Sequence, residues 1–192
     1  MKIALIGFMG SGKTTVGEAL ANMLGFEFVE MDKVVLEKTN FRDMQELFSK
    51  NGEIYLREWE IALAKEWQEK EKTVISTGGG VVMNNIIPEY LKKNNGHVIF
   101  LHASFQTLEQ RVIKDKTPRP LFGNVRDAYR LYHFRLPLYK KYADMTIRTK
   151  GKDAVKIAKE IVLKLYKNEP ADLKDKSLLK EVVEQIMNIR AL

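Results

Sequence analysis

Apolar residues along the chain form short continuous runs, separated by longer stretches in which they recur every three or four positions. The first run covers residues 2–6 and ends at Gly7, and residues 16–24 then carry apolar side chains at helical spacing until Gly25. A short apolar run indicates a strand, and the wider spacing indicates an amphipathic helix that the glycine ends. The first elements are therefore predicted to be a strand, a loop and a helix.

Four more short runs predict four more strands, at residues 26–29, 73–76, 98–101 and 145–147. Helical spacing predicts a helix around residues 41–50 that Asn51-Gly52 closes, a second helix around 55–63 and a third around 108–112. Strands separated by helices need crossover connections, which favour a parallel sheet between two helical layers. The predicted fold is an α/β three-layer sandwich with a five-stranded parallel sheet and ligands at the carboxyl ends of its strands.

Length and composition favour one domain. The chain has 192 residues, of which 45% are hydrophobic and 30% charged, which suits a single well-buried core. We assign residues 1–167 to this domain and residues 168–192 to a C-terminal extension, where apolar spacing predicts an amphipathic helix. That helix either packs on its own domain or forms a dimer contact. We expect a monomer, with a dimer through the extension as the alternative.

The cell compartment is predicted from what the sequence lacks. It has no cysteine and no apolar run near the roughly 20 residues that span a bilayer. Its first residues lead directly into a strand, so we expect no export signal. These features predict a cytoplasmic protein without a membrane contact.

The net charge of +7 suggests acidic ligands, which could be nucleic acid, an anionic membrane or phosphorylated small molecules. Many lysines, such as Lys156, Lys159 and Lys164, recur at the spacing of a solvated helix face. Aromatic and basic residues are not interleaved as they are in RNA-binding surfaces. We therefore expect small phosphorylated ligands and no nucleic acid.

Residues 7–14, with the sequence GFMGSGKT, match the phosphate-binding loop (P-loop) pattern completely. The pattern follows a predicted strand and precedes a predicted helix, as its function requires. Backbone N–H groups and the helix dipole attract phosphate, Lys13 reaches the β- and γ-phosphates, and the Thr14 hydroxyl suits Mg²⁺. The residues predicted to bind ATP here are Gly10, Ser11, Gly12, Lys13, Thr14 and Thr15. The fold is thus predicted to be of the P-loop NTPase type.

Several classes of P-loop protein are disfavoured. GTP-dependent switches carry an Asn-Lys-x-Asp motif, and no asparagine in this sequence precedes a lysine. Motors and helicases usually have an acid at the end of a hydrophobic strand, but the strands that end at Ser76 and Leu101 have none. The acids at a strand end are Glu30 and Asp32. These features disfavour the switch, motor and helicase classes.

The motifs after the P-loop occur in a characteristic order. They are Asp32, then Gly52-Glu53 followed by Arg57, then Gly78-Gly79-Gly80, Arg119-Pro120-Leu121, and Arg135-x-Pro137-Leu138-Tyr139. Over residues 1–165 the chain resembles the shikimate kinase family. This resemblance implies ATP-dependent phosphorylation of the 3-hydroxyl of shikimate, with Mg²⁺, in the pathway to chorismate and the aromatic amino acids. The alternatives are another small-metabolite kinase, such as a gluconate-type kinase, a nucleoside monophosphate kinase that phosphorylates AMP or CMP, and an ATP-binding switch protein without activity.

The resemblance also implies which residues bind the acceptor. Arg57 and Arg135 would bind the shikimate carboxylate, for which a planar, permanently charged donor is suited. Asp32 would orient the attacking hydroxyl or take its proton. The alternatives are an internal salt bridge from one arginine to Glu53 or Glu58, and a helix N-cap role for Asp32.

Further roles follow from the same resemblance. Residues 78–80 would let the acceptor approach the backbone closely, the alternative being a simple turn. Residues 114–124 contain two prolines and a glycine and would form a mobile lid, or else an ordinary surface loop. In that lid Arg119 would neutralise charge on the transferred phosphate. Arg111 would lie along the adenine, or else on a solvated helix face.

The metal site departs from the family pattern at one position. Family members carry Asp-x-Asp after the second strand, whereas Glu30 occupies the first of these positions here. Mg²⁺ retains several waters, so contact through water would tolerate the extra methylene. We expect Thr14 at the metal, with Glu30 and Asp32 acting through water.

Overall fold

The computed structural model describes residues 1–115, 124–168 and 174–188. Its strands are β1 (Lys2–Ile6), β2 (Glu27–Glu30), β3 (Thr73–Ser76), β4 (Gly96–His102) and β5 (Met145–Arg148). Its helices are α1 (Lys13–Leu24), α2 (Met31–Thr39), α3 (Met44–Glu66), α4 (Ile86–Lys92), α5 (Phe105–Lys114), α6 (Val125–Tyr142), α7 (Ala154–Asn168) and α8 (Lys174–Asn188), with short 3₁₀ helices at Trp67–Glu69 and Val81–Met83. None of these helices combines the length and apolarity needed to cross a bilayer.

All five strands are parallel, in the order β2-β3-β1-β4-β5. The register pairs Ser76 of β3 with Leu5 of β1 on one side and with Glu30 of β2 on the other. The carboxyl ends of these three strands therefore lie at one edge of the sheet. This edge brings together the P-loop, Asp32 and the glycines at 78–80, because each directly follows one of those ends.

The two faces of the sheet bury separate apolar clusters. In the central strand β1, Ala4 and Ile6 belong to one cluster, which also contains residues of α2 to α6. Ile3 and Leu5 belong to the other, with residues of α1, α7 and α8. Side chains alternate between the faces of a strand, so each helical layer covers one face. The predicted three-layer α/β sandwich is confirmed.

Several helices differ from the sequence prediction. Helix α2 was not predicted, because it buries only Met31 and Val35 and shows little periodicity. Helix α3 consists of two helical segments joined at Gly52, whose φ of 78° and ψ of 179° are not helical, so the predicted break at Asn51-Gly52 is confirmed. Helices α4 and α6 were also not predicted, and α6 contains Pro137, which obscures a helical pattern. Residues 116–123, which include Arg119 and most of the predicted lid, lie outside the described residues.

The C-terminal helix α8 lies against the same chain. Its apolar residues Leu179, Val182 and Ile186 are buried in the cluster shared with α1 and α7. Burial of this stripe removes apolar surface from water, which stabilises the helix on its domain. The face of the sheet that α8 supports is the one on which α1 lies.

We expect Leu179→Ala to lower the free energy of unfolding by about 3 kcal/mol, because it leaves a cavity in a closed cluster. Urea denaturation of the full chain measures this change. Met187→Ala, on the same helix at a side chain that is 51% exposed, is the control and should change it by less than about 0.5 kcal/mol. Small and equal decreases in the free energy of unfolding for Leu179→Ala and Met187→Ala would show that α8 does not pack on the domain.

Candidate active site

A cleft of about 1480 Å³ lies at the carboxyl edge of the sheet. It contains every predicted site residue within the described ranges: Gly10, Ser11, Gly12, Lys13, Thr14, Thr15, Glu30, Asp32, Arg57, Gly78, Gly79, Gly80, Arg111 and Arg135. The predicted nucleotide-binding and acceptor-binding residues thus share one space. Arg119 lies outside the described residues, so its predicted contact with the phosphates stays a prediction.

One end of the cleft is built to attract an anion. Helix α1 begins after Gly12 with no side-chain cap and no acidic residue in its first turn, whereas α3 and α5 are capped by Asp43 and Ser104. An uncapped N-terminus leaves N–H groups and the positive end of the helix dipole for a ligand. The Lys13 ammonium adds a full charge and donates to the carbonyl of Gly7 at 2.9 Å. This end therefore suits phosphate.

Oxygen atoms beside the P-loop suit a hard cation. The Thr14 hydroxyl donates to Glu30 Oε1 at 2.7 Å, so the longer side chain at position 30 reaches the P-loop directly. Asp32 lies two residues further on, in the first turn of α2. Within the described ranges, no group of three or more His, Cys, Asp or Glu residues could hold a metal alone. A Mg²⁺ ion here would take its remaining ligands from phosphate and water, as it commonly does.

Asp32 does not cap α2. The N-cap position belongs to Glu30, whose side chain makes no capping hydrogen bond. Asp32 is the second residue of the helix and lines the cleft. Its predicted role toward the acceptor stays a prediction, and the N-cap alternative is wrong.

Arg57 lies on α3 between two acids of its own helix. Its Nη1 donates to Glu60 Oε2 at 2.5 Å, while Nη2 and Nε donate to Glu53 Oε1 at 2.6 and 3.2 Å. The side chain of Arg57 is 16% exposed and that of Glu60 is fully buried. The internal salt bridge that the sequence left as an alternative therefore forms, with Glu53 and Glu60 as partners.

Arg135 approaches the same place from α6. Its side chain is 6% exposed, and its Nη2 lies 4.0 Å from Glu53 Oε1. Nη1 donates to the carbonyl of Gly79 at 3.4 Å, and Tyr139, one turn later, donates to the same carbonyl at 2.5 Å. Its buried Nε has no partner among the described residues. Two poorly solvated guanidinium groups thus face one carboxylate oxygen, a cost that an anion between them offsets.

The glycine segment after β3 makes room for these charged groups. A Cβ at Gly80 would overlap the guanidinium of Arg57, and a Cβ at Gly78 would lie 2.6 Å from Glu60 Oε1 and 2.8 Å from Asp32 Oδ1. A side chain at either position would push the acid or the arginine away. This segment therefore lies close to Asp32, Arg57 and Glu60, and its predicted close approach to the acceptor stays a prediction.

Glu60 is a site residue that the sequence analysis missed. Its Oε1 is buried and has no hydrogen-bond partner in the described part of the chain. Burial raises the pKa of Glu60 to about 7, although the neighbouring Arg57 acts to lower it. One signal was present in the sequence, because Glu60 lies four residues after Leu56 and three before Leu63, on the buried face of α3. An acid on that face indicates a cationic partner.

Arg111, at the end of α5, connects the P-loop to the segment after β5. Its Nη1 donates to the carbonyl of Gly10 at 3.3 Å and to the Thr149 hydroxyl at 3.0 Å, and its Nη2 donates to the Thr149 carbonyl at 2.9 Å. The side chain is therefore held over the nucleotide end of the cleft and not in free solvent. Contact with adenine stays a prediction.

Curated proteins with similar sequences include several members of one family. The model of the family described as shikimate kinase matches residues 9–166. The shikimate kinase of Thermodesulfovibrio yellowstonii is 40% identical over 163 residues, which are 83% of this chain and 92% of that protein. The shikimate kinase of Aquifex aeolicus is 38% identical over 170 residues, which are 88% of this chain and 98% of that protein. Residues 9–166, which the family model matches, include all the described site residues.

A solved structure gives the same result. The structure of shikimate kinase from Acinetobacter baumannii in complex with shikimate superposes with a TM-score of 0.80 and 34% sequence identity. The superposition covers 88% of this chain and 94% of that one. The described fold is thus that of the shikimate kinase structures.

The buried ion pair of α3 can be tested by mutation. We expect Glu60→Ala to lower the free energy of unfolding by about 3 kcal/mol, because it removes one partner of a buried charge pair. Urea denaturation is the measurement, and Glu58→Ala, at an exposed acid of the same helix, is the control, with a change below about 0.5 kcal/mol. A loss no larger than that of the control would contradict the pairing of Glu60 with Arg57.

Proposed function

This chain belongs to the shikimate kinase family, and we propose that it transfers the γ-phosphate of ATP to the 3-hydroxyl of shikimate, giving shikimate 3-phosphate and ADP. The observation that carries the proposal is the convergence of Arg57 and Arg135, from two different helices, on one carboxylate position. That position shares its cleft with the uncapped start of α1. A phosphate donor and a carboxylated acceptor can therefore bind side by side.

The acceptor end recognises a carboxylate. Nε and Nη2 of Arg57 form one edge of a guanidinium, which matches the two oxygens of a carboxylate. Arg135 supplies a second guanidinium, which Tyr139 helps to hold through their shared contact with the Gly79 carbonyl. With the carboxylate fixed, the ring hydroxyls face Asp32 and residues 78–80. Fixing the acceptor in this way supplies the orientation that phosphoryl transfer needs.

The nucleotide end binds the triphosphate through residues 10–15. Lys13 exchanges its carbonyl contact for β- and γ-phosphate oxygens, and the N–H groups at the start of α1 bind the remaining charge. Arg111 would lie along the base, and Arg119, which lies outside the described residues, would neutralise charge on the phosphates. Thr14, Glu30 and Asp32 are the oxygen donors that would hold Mg²⁺, directly or through water, and the ion would supply charge neutralisation at the phosphates.

The chemistry is a direct in-line transfer. The 3-oxygen of shikimate forms a bond to the γ-phosphorus while the bond between that phosphorus and the oxygen bridging it to the β-phosphate breaks, and ADP leaves. Asp32 orients the 3-hydroxyl and accepts its proton as the new bond forms. Because the transition state is loose, a strong base is not required, and positioning with charge stabilisation supplies most of the rate.

The same proposal covers the setting of the reaction. The product, a phosphorylated carboxylic acid, belongs to the route to chorismate and the aromatic amino acids. ATP and shikimate are the ligands, the protein acts as a cytoplasmic monomer, and it needs neither nucleic acid nor a membrane.

We expect ADP release from the purified protein with ATP and Mg²⁺ to be stimulated by shikimate and not by gluconate or AMP. A coupled assay of ADP measures it. Stimulation by gluconate or AMP alone would refute shikimate as the acceptor, and no stimulation by any of the three would favour an ATP-binding protein without kinase activity.

Lys13→Met should abolish the shikimate-dependent rate while leaving the urea midpoint of unfolding nearly unchanged, because it removes a phosphate contact and no core packing.

A further inference from the structure

Glu53 occupies the place between the two arginines. A single oxygen of Glu53, Oε1, accepts from Nη2 of Arg57 at 2.6 Å and from its Nε at 3.2 Å. The same oxygen lies 4.0 Å from Nη2 of Arg135. Both groups proposed to bind the acceptor carboxylate thus already face a carboxylate of the chain itself.

Glu53 and an acceptor need the same edge of Arg57. The Nη1 side of this guanidinium is bound by Glu60, which is fully buried and packed against Gly78. That leaves the edge formed by Nε and Nη2 for a ligand, and Glu53 holds both of those N–H groups. An acceptor carboxylate cannot take this edge while Glu53 keeps it.

Glu53 can move away, whereas Glu60 cannot. The side chain of Glu53 is 57% exposed, so its carboxylate can turn into water at little cost. It also directly follows Gly52, where α3 is kinked with φ 78° and where an added Cβ would meet no atom within 4 Å. Gly52 thus borders open space on that side, so no packing holds the chain next to Glu53 in place there.

We propose that Glu53 sets the affinity for the acceptor by occupying the carboxylate position of the empty site, from which the acceptor carboxylate displaces it. This proposal rests on the proposed function in one respect, namely that the acceptor carries a carboxylate. Glu53 thereby keeps Arg57 and Arg135 balanced in charge when the site is empty. Its contact is lost when the acceptor binds, so it lowers the apparent affinity.

The size of the effect follows from the exposure of Glu53. Ion pairs with one well-exposed partner are weak, and the apparent affinity of a ligand falls only in proportion to the fraction of protein whose site is free. Removing Glu53 should therefore tighten acceptor binding by about 2- to 5-fold. The transfer step should be unaffected, because Glu53 has left the arginines by then.

Steady-state kinetics with saturating ATP test this effect. We expect Glu53→Gln to lower the KM for shikimate by about 2- to 5-fold relative to the control Glu58→Gln, without lowering kcat. Glu58 is exposed on the same helix, so the control makes the same change in net charge. Glu53→Asp keeps the charge but shortens the side chain, and it should resemble Glu53→Gln. An unchanged or higher KM for Glu53→Gln would overturn the proposal and make Glu53 a residue that positions Arg57.

A second measurement does not depend on the identity of the acceptor. Acetate, a simple carboxylate, is titrated into nucleotide-free protein while the Nε–H resonance of Arg57 is followed by NMR, with Arg57→Lys to assign it. Half-saturation should need about 2- to 5-fold less acetate in Glu53→Gln than in Glu58→Gln. Equal concentrations would overturn the proposal. If the wild-type protein does not phosphorylate shikimate, the proposed function fails, and the acetate titration still decides the role of Glu53.

Discussion

Two guanidinium groups lie almost out of water at one end of a single cleft, and much of the local structure serves to balance their charge. Arg57 is bound by Glu53 and Glu60, and Arg135 by the Gly79 carbonyl. Buried cations without partners cost several kcal/mol, so these groups require acids and carbonyls around them. The same requirement is why we propose that an anion binds between them.

The parallel sheet brings this anion site to the P-loop. Because β2, β3 and β1 are adjacent and in register, the segments that follow them meet at one edge. The segment after β1 is proposed to bind phosphate, the segment after β2 supplies Glu30 and Asp32, and the glycines after β3 leave room for Arg57 and Glu60. Donor and acceptor sites are thus neighbours as a consequence of strand order.

Much of the fold and part of the candidate site were predictable from the sequence. Short apolar runs identified all five strands, and the P-loop pattern located the phosphate end, because both depend on local sequence. Helices α2 and α6 were not predicted, since α2 buries little and α6 contains Pro137. Glu60 was missed because its role depends on its contacts with Arg57 and with the glycines after β3. Only the fold brings these residues together. Resemblance named Arg57 and Arg135, but their convergence on Glu53 needed the structure.

The most direct test of this account is isothermal titration of shikimate and of its methyl ester into the nucleotide-free protein. The two compounds share the ring and its hydroxyls, but the ester replaces the charged carboxylate that Arg57 and Arg135 are proposed to bind with a neutral methyl ester group. The account predicts that the ester binds at least about 10-fold more weakly, the scale of a lost hydrogen bond to a charged group. Equal binding of acid and ester would contradict the carboxylate site on which the proposed function depends.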